Sequence, residues 1–239
     1  SPDSDLIRIE LMCPEYLMDK YAEIFPLWAS TAYSNADVSD SNIEYLIIDM
    51  LNSDGAYAEA AQDTLIDKLI NDPAATLEAI GARSEGIVDW ICWSLAEYMD
   101  GMALDTGDAL SGDGLSESGQ YACERIIYYL SNDTAAPKSW RQIYLDFWDN
   151  EFPALTEDAE IVAVGLFDTQ IDGVPELAVW YESSTDGVLY YTDGLSVYHN
   201  LGNIYEGLPP DDSDDVLLAQ EGAELDHNAM NAFLNAWRP

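Results

Sequence analysis

The chain has 239 residues, 48% of them apolar and 11% aromatic, enough for a sizeable core in one large domain or two small ones packed together, and too aromatic for a disordered polymer. Its 46 acidic residues stand against 8 basic ones, a formal charge of −38, with Lys20, Lys68 and Lys138 the only lysines. Such a surface repels phosphate backbones and anionic lipid, which argues against nucleic acid and membrane surfaces as partners and leaves cations and basic partners open.

The opening Ser1-Pro2-Asp3-Ser4-Asp5 reads as a processed end, the signal or lipid anchor having been removed. No stretch approaches the roughly 18 unbroken apolar residues of a membrane span. From Cys13 to about Asn150 the periodicity is helical. Ile43, Leu46, Ile47 and Met50 fall at helical spacing behind Ser41-Asn42-Ile43-Glu44, which has the pattern of a capping box. Asp54-Gly55 breaks the chain. Ala61, Leu65, Ile66 and Leu69 then make a second apolar face, ended by Asn71-Asp72, and Pro73 opens a short helix to about Ile80. Gly81 punctuates, Ser84 can cap, and Ile87, Val88, Ile91, Cys92 and Leu95 form the next stripe. Beyond a loop of residues 101–116, Ala122, Ile126, Ile127 and Leu130 predict one more helix, and Trp140, Tyr144, Phe147 and Trp148 another.

The period changes at Glu160. Ile161–Phe167, Leu177–Tyr181, Val188–Tyr191 and Leu195–Tyr198 read as strands separated by Asp172-Gly173, Asp186-Gly187 and Asp193-Gly194, the residues that tight hairpins favour. The remainder after the fourth strand, with Pro209-Pro210 and the acidic Asp211–Asp215, reads as an exposed loop before a last helix around His227–Trp237. The expected fold class is α+β: a bundle of helix hairpins, a four-stranded antiparallel meander and a C-terminal helix, divided into a helical domain at 1–136 and a small α+β domain at 137–239.

Cys13, Cys92 and Cys123 lack metal-ligand spacing. Cys92 and Cys123 sit in apolar helical contexts and read as buried thiols, a disulfide between them being the alternative. Two histidines, His199 and His227, cannot supply a three-histidine zinc set, no Gly-x-Ser-x-Gly elbow is present, and Gly112-Asp113-Gly114 lacks the lysine of a phosphate loop. Most tryptophans, Trp90, Trp93, Trp140, Trp148 and Trp180 among them, fall in the apolar phase of their elements and read as core. Alternation sends Tyr190 and Tyr191 to opposite faces of their strand.

The candidate site is the turn Asp168-Thr169-Gln170-Ile171-Asp172-Gly173-Val174-Pro175-Glu176. Oxygen side chains at alternate positions followed by Gly are the spacing that wraps a hard cation such as Ca²⁺, with Asp168, Gln170, Asp172 and Glu176 as ligands; Gln170 is neutral and weaker, and Val179 stands where an EF-hand has its glutamate. Residues 160–200, from Val164-Gly165-Leu166-Phe167-Asp168 through Asp172-Gly173-Val174-Pro175-Glu176-Leu177 to Tyr190-Tyr191 and Val197-Tyr198, resemble the Asp-x-Asp-x-Asp-Gly-x-Pro-Glu-Leu hairpin of uncharacterised secreted or lipoprotein-type proteins of gut Firmicutes. They are also similar to single calcium-binding blades of FG-GAP and VCBS repeats. The resemblance implies an extracellular or cell-surface setting and a calcium site in the turn. The expected function is a non-catalytic binding or interaction module with an unknown protein or glycan partner; the alternatives are an envelope hydrolase acting on glycan or peptide through carboxylates and a Ca²⁺-stabilised structural domain.

Overall fold

A computed structural model describes residues 42–52, 55–102, 110–155, 160–170, 172–207, 209, 216–218 and 225–237. Helices α1 (Asn42–Asn52), α2 (Gly55–Asn71), α3 (Pro73–Gly81), α4 (Glu85–Met102), α5 (Glu117–Ser131) and α6 (Trp140–Asn150) precede a single helical turn at Phe152–Leu155. Strands β1 (Ile161–Phe167), β2 (Glu176–Tyr181), β3 (Gly187–Thr192), β4 (Val197–Tyr205) and β5 (Val216–Leu218) follow, then α7 (His227–Ala236). The fold is α+β, as its periodicities predict. Cys13 and Ser41 lie outside the described residues.

The helix starts are written in short polar residues that accept otherwise orphaned backbone N–H groups. Asp72 accepts from Ala75 N ahead of Pro73, Ser116 from Gly119 N, and Asp226 from Ala229 N. Ser139 and Gln142 form a reciprocal capping box on α6. Glu44 pairs with Arg83 on the α3–α4 link; the box expected between it and Ser41 lies outside the described residues.

The sheet runs β4-β3-β2-β1-β5, every neighbour pair antiparallel. Two details differ from the sequence reading. Leu195, assigned to a strand, is in the β3–β4 turn and 63% exposed, because Asp193 Oδ1 holds the N–H groups of Leu195 and Ser196 and extends the turn to Ser196. Val216–Leu218, assigned to an exposed loop, pairs with Ala163, Val164 and Gly165 and converts β1 from an edge into an interior strand.

One apolar cluster lies between helices and sheet and includes Leu46, Leu65, Ile91, Ile126, Tyr144, Leu177, Tyr190 and Trp237, residues from both sides of position 136. A second, on the opposite sheet face, gathers Ala163, Ala178, Trp180 and Leu189, with Phe167 stacked on Tyr205 at 4.4 Å. Trp140, Trp148 and Trp180 are buried; Trp90 and Trp93 are half-buried. Cys92 and Cys123 are buried free thiols, and the Cys92 S–H donates to the Ala122 carbonyl at 3.5 Å. Burial, then the charge of Asp89, pushes the Cys92 thiol far up, which makes it inert.

Two contacts fix the end of the sheet against the helices. Gly194, at φ 84°, packs on Gly86 so closely that a Cβ on Gly86 would lie 2.3 Å from Gly194 C, and Gly86 N donates to Asp193 O at 3.1 Å. Buried Asn52 donates to Gly173 O at 2.7 Å and to Ile48 O at 2.9 Å, tying the β1–β2 turn to α1. Among the described residues no helix is long and apolar enough to cross a membrane.

Candidate functional site

Asp168, Gln170, Asp172 and Glu176 do converge, and the turn's own donors occupy most of their oxygens. Asp168 Oδ1 accepts from Asp172 N at 3.0 Å and its Oδ2 from Gly173 N at 2.8 Å. Asp172 Oδ1 accepts from Val174 N at 2.9 Å. Glu176, 2% exposed, accepts from Thr169 N at 2.8 Å on Oε2 and from the Gln170 amide at 2.9 Å on Oε1. Gly173, at φ 85°, makes the bend a β-carbon would strain. A hard cation wants six to eight oxygens, and here five carboxylate oxygens hold N–H groups. Among the described residues, no group of three or more His, Cys, Asp or Glu side chains is arranged to hold a metal ion.

The same turn forms one wall of a cavity of about 320 Å³. Gln170, Asp172 and Glu176 line it from the turn, Arg83 and Ser84 from the α3–α4 link, and Tyr191, Asp193 and Tyr198 from β3, its following turn and β4. Tyr191 on β3 and Tyr198 on β4 stand opposite each other across the strand pair and together form the aromatic part of the wall. The Tyr191 and Tyr198 rings stack at 5.7 Å and 18°, and Tyr198 remains 49% exposed.

Three electrostatic features set the cavity's character. Burial raises the Asp172 carboxyl above its ordinary 3.8; the N–H of Val174 opposes this, neighbouring Asp168 and Glu176 add to it, and Arg83 offsets part. Arg83 pairs with Glu44 through Nη2, and its buried Nε–H has no hydrogen-bond partner among the described residues. Tyr144, a fully buried residue of the lining, shares its hydroxyl proton between Pro175 O (2.8 Å) and Tyr190 O (3.1 Å), and burial holds that phenol well above its usual range.

Arg83 also lines a shallower hollow with Glu85, Ser116 and Tyr121. There the polar groups are engaged with one another: Ser116 Oγ and N both donate to Glu78, and Tyr121 bonds to Glu85 at 3.3 Å and Asp89 at 3.1 Å. The histidines stand elsewhere, His227 beside Asp149 at 2.6 Å and His199 against the Tyr190 ring.

The sequence pointed to one wall of the cavity and missed the other. Arg83 lies in a link between two helices with no motif around it; its rarity was the only available signal, since the chain has 8 basic residues. Comparison with family models, curated proteins and solved structures finds no match to the chain, so the residues and their geometry carry the functional reading.

Proposed function

We propose that this protein is a non-catalytic binding module, exported and held at a bacterial cell surface, that takes a small polar ligand into the cavity between Arg83, Asp172 and Tyr198. The observation that carries the reading is the set of groups that line one hollow: the Arg83 guanidinium, the partly buried Asp172 carboxyl and the half-exposed Tyr198 ring. The cell-surface setting rests on the acidity of the chain and on the likeness of its hairpin to exported proteins.

Thermal unfolding against a panel of neutral sugars, amino acids and diamines tests the reading. A ligand at a hundred times its dissociation constant adds about 2.7 kcal/mol, and each kcal/mol moves Tm by about 2–4 °C in a chain of this size. A Tm rise with one probe that Tyr198→Ala abolishes supports the cavity as the site. No rise with any probe contradicts it.

A second reading, hydrolysis through carboxylates, is favoured by the raised Asp172 carboxyl, the state a general acid needs. Glu176 weighs against it, being buried with both oxygens committed to the turn. Release of nitrophenol from chromogenic glycosides, lost in Asp172→Asn, would establish the hydrolase.

A further inference from the structure

Resting on that reading of the cavity, we infer that its ligand is a neutral polyhydroxyl ring, a single hexopyranose unit of a glycan, hydrogen-bonded by Asp172 and Arg83 and stacked on Tyr198.

An anion is disfavoured twice. The chain carries −38 overall, and Arg83, the cation of the wall, is already paired with Glu44 and ringed by Asp172, Glu176 and Asp193. A carboxylate or phosphate seated there would meet more like charge than opposite charge.

A cation fares little better, because the acidic wall is largely consumed. Both oxygens of Glu176 hold Thr169 N and the Gln170 amide, and Asp193 Oδ1 holds Leu195 N and Ser196 N, each at 2.9 Å. Asp172 would be its main counter-charge, and Arg83 lies close enough to compete for that same carboxyl. An apolar ligand would cover the Asp172 carboxyl and the Arg83 guanidinium without hydrogen-bonding either, which is costly in a half-closed hollow.

Hydroxyl groups are donors and acceptors at once. Adjacent hydroxyls on one ring therefore meet the Asp172 carboxyl and the Arg83 guanidinium that line the cavity without bringing charge, while the C–H face of the ring covers an aromatic plane such as Tyr198, half-exposed on an edge strand. The size agrees: about 320 Å³ is at the small end of ligand cavities, which span about 300–1,000 Å³, and suits one ring with its neighbours in solvent.

Calorimetric titration of the chain with methyl β-D-glucopyranoside, methyl β-D-galactopyranoside and N-acetylglucosamine, and separately with glycine and putrescine, tests the inference. The expected result is saturable millimolar or tighter binding of at least one sugar, weakened about tenfold or more in both Tyr198→Ala and Asp172→Asn and unchanged in Tyr45→Ala, whose ring is 66% exposed on α1. Circular dichroism of each variant checks that it is folded. Binding of glycine or putrescine alone, lost in the same variants, overturns the sugar inference and leaves the binding module standing. No heat with any probe overturns the sugar inference and counts against the cavity itself.

Discussion

At the scale of single residues, the cavity is built from groups whose roles differ from what their types suggest. Asp172 stands in a cation-binding pattern, yet its carboxyl is partly buried and raised. A raised folded-state value means the folded chain holds this proton more tightly than the unfolded one, so the group favours folding below its ordinary 3.8 and that contribution is lost as pH rises through the raised value. Asp172→Asn keeps an acceptor for Val174 N. Its stability relative to the parent is expected to improve from about pH 4 upward and then level off, as read from urea midpoints at several pH values; a flat difference would contradict the assignment. Asn52 carries no signal in the sequence, since nothing local reveals that its amide reaches Gly173, 121 positions away. Asn52→Ala should cost about 2 kcal/mol, because it leaves the buried Gly173 carbonyl unpaired and frees the turn that carries Asp172. An unchanged denaturation midpoint would show that the turn holds itself.

At the scale of elements, the periods of 3.6 and 2 were enough to place the helices and the meander, since burial of Ile43, Leu46, Ile47 and Met50 or of Val164 and Leu166 follows directly from spacing. What spacing could not supply was contact between distant elements. The three Asp-Gly turns look alike in sequence but serve different ends. Gly173 and Gly194 adopt positive φ, whereas a Cβ on Gly187 would lie 2.8 Å from Trp180, so its role is to make room for that ring. β5 was illegible because three residues give no period, and its pairing with β1 is decided by the unsatisfied edge of that strand. Gly86 was equally silent, an unremarked helix residue until the β3–β4 turn rests on it. Gly86→Ala must push Gly194 backbone away and should cost about 2 kcal/mol or more, with the aromatic wall of the cavity displaced. Wild-type stability in that variant would contradict the docking described for this end of the sheet.

At the scale of the whole molecule, charge dominates. A net −38 on 239 residues repels itself, and screening by salt relieves that repulsion. Tm is expected to rise between about 0.01 M and 0.5 M NaCl, and CaCl₂ at equal ionic strength should add nothing further, because the Asp168–Glu176 turn already holds its own N–H groups. A calcium-specific rise that Asp168→Ala removes would restore the calcium-stabilised reading. The most direct test of the account as a whole is an amide chemical-shift map of the chain titrated in turn with methyl β-D-glucopyranoside, glycine and putrescine. Saturable shifts with at least one probe, centred on Arg83, Asp172, Thr192 and Tyr198, are the expected result. Shifts centred instead on the exposed Ile127 and Tyr128 of α5, or none with any probe, would contradict it.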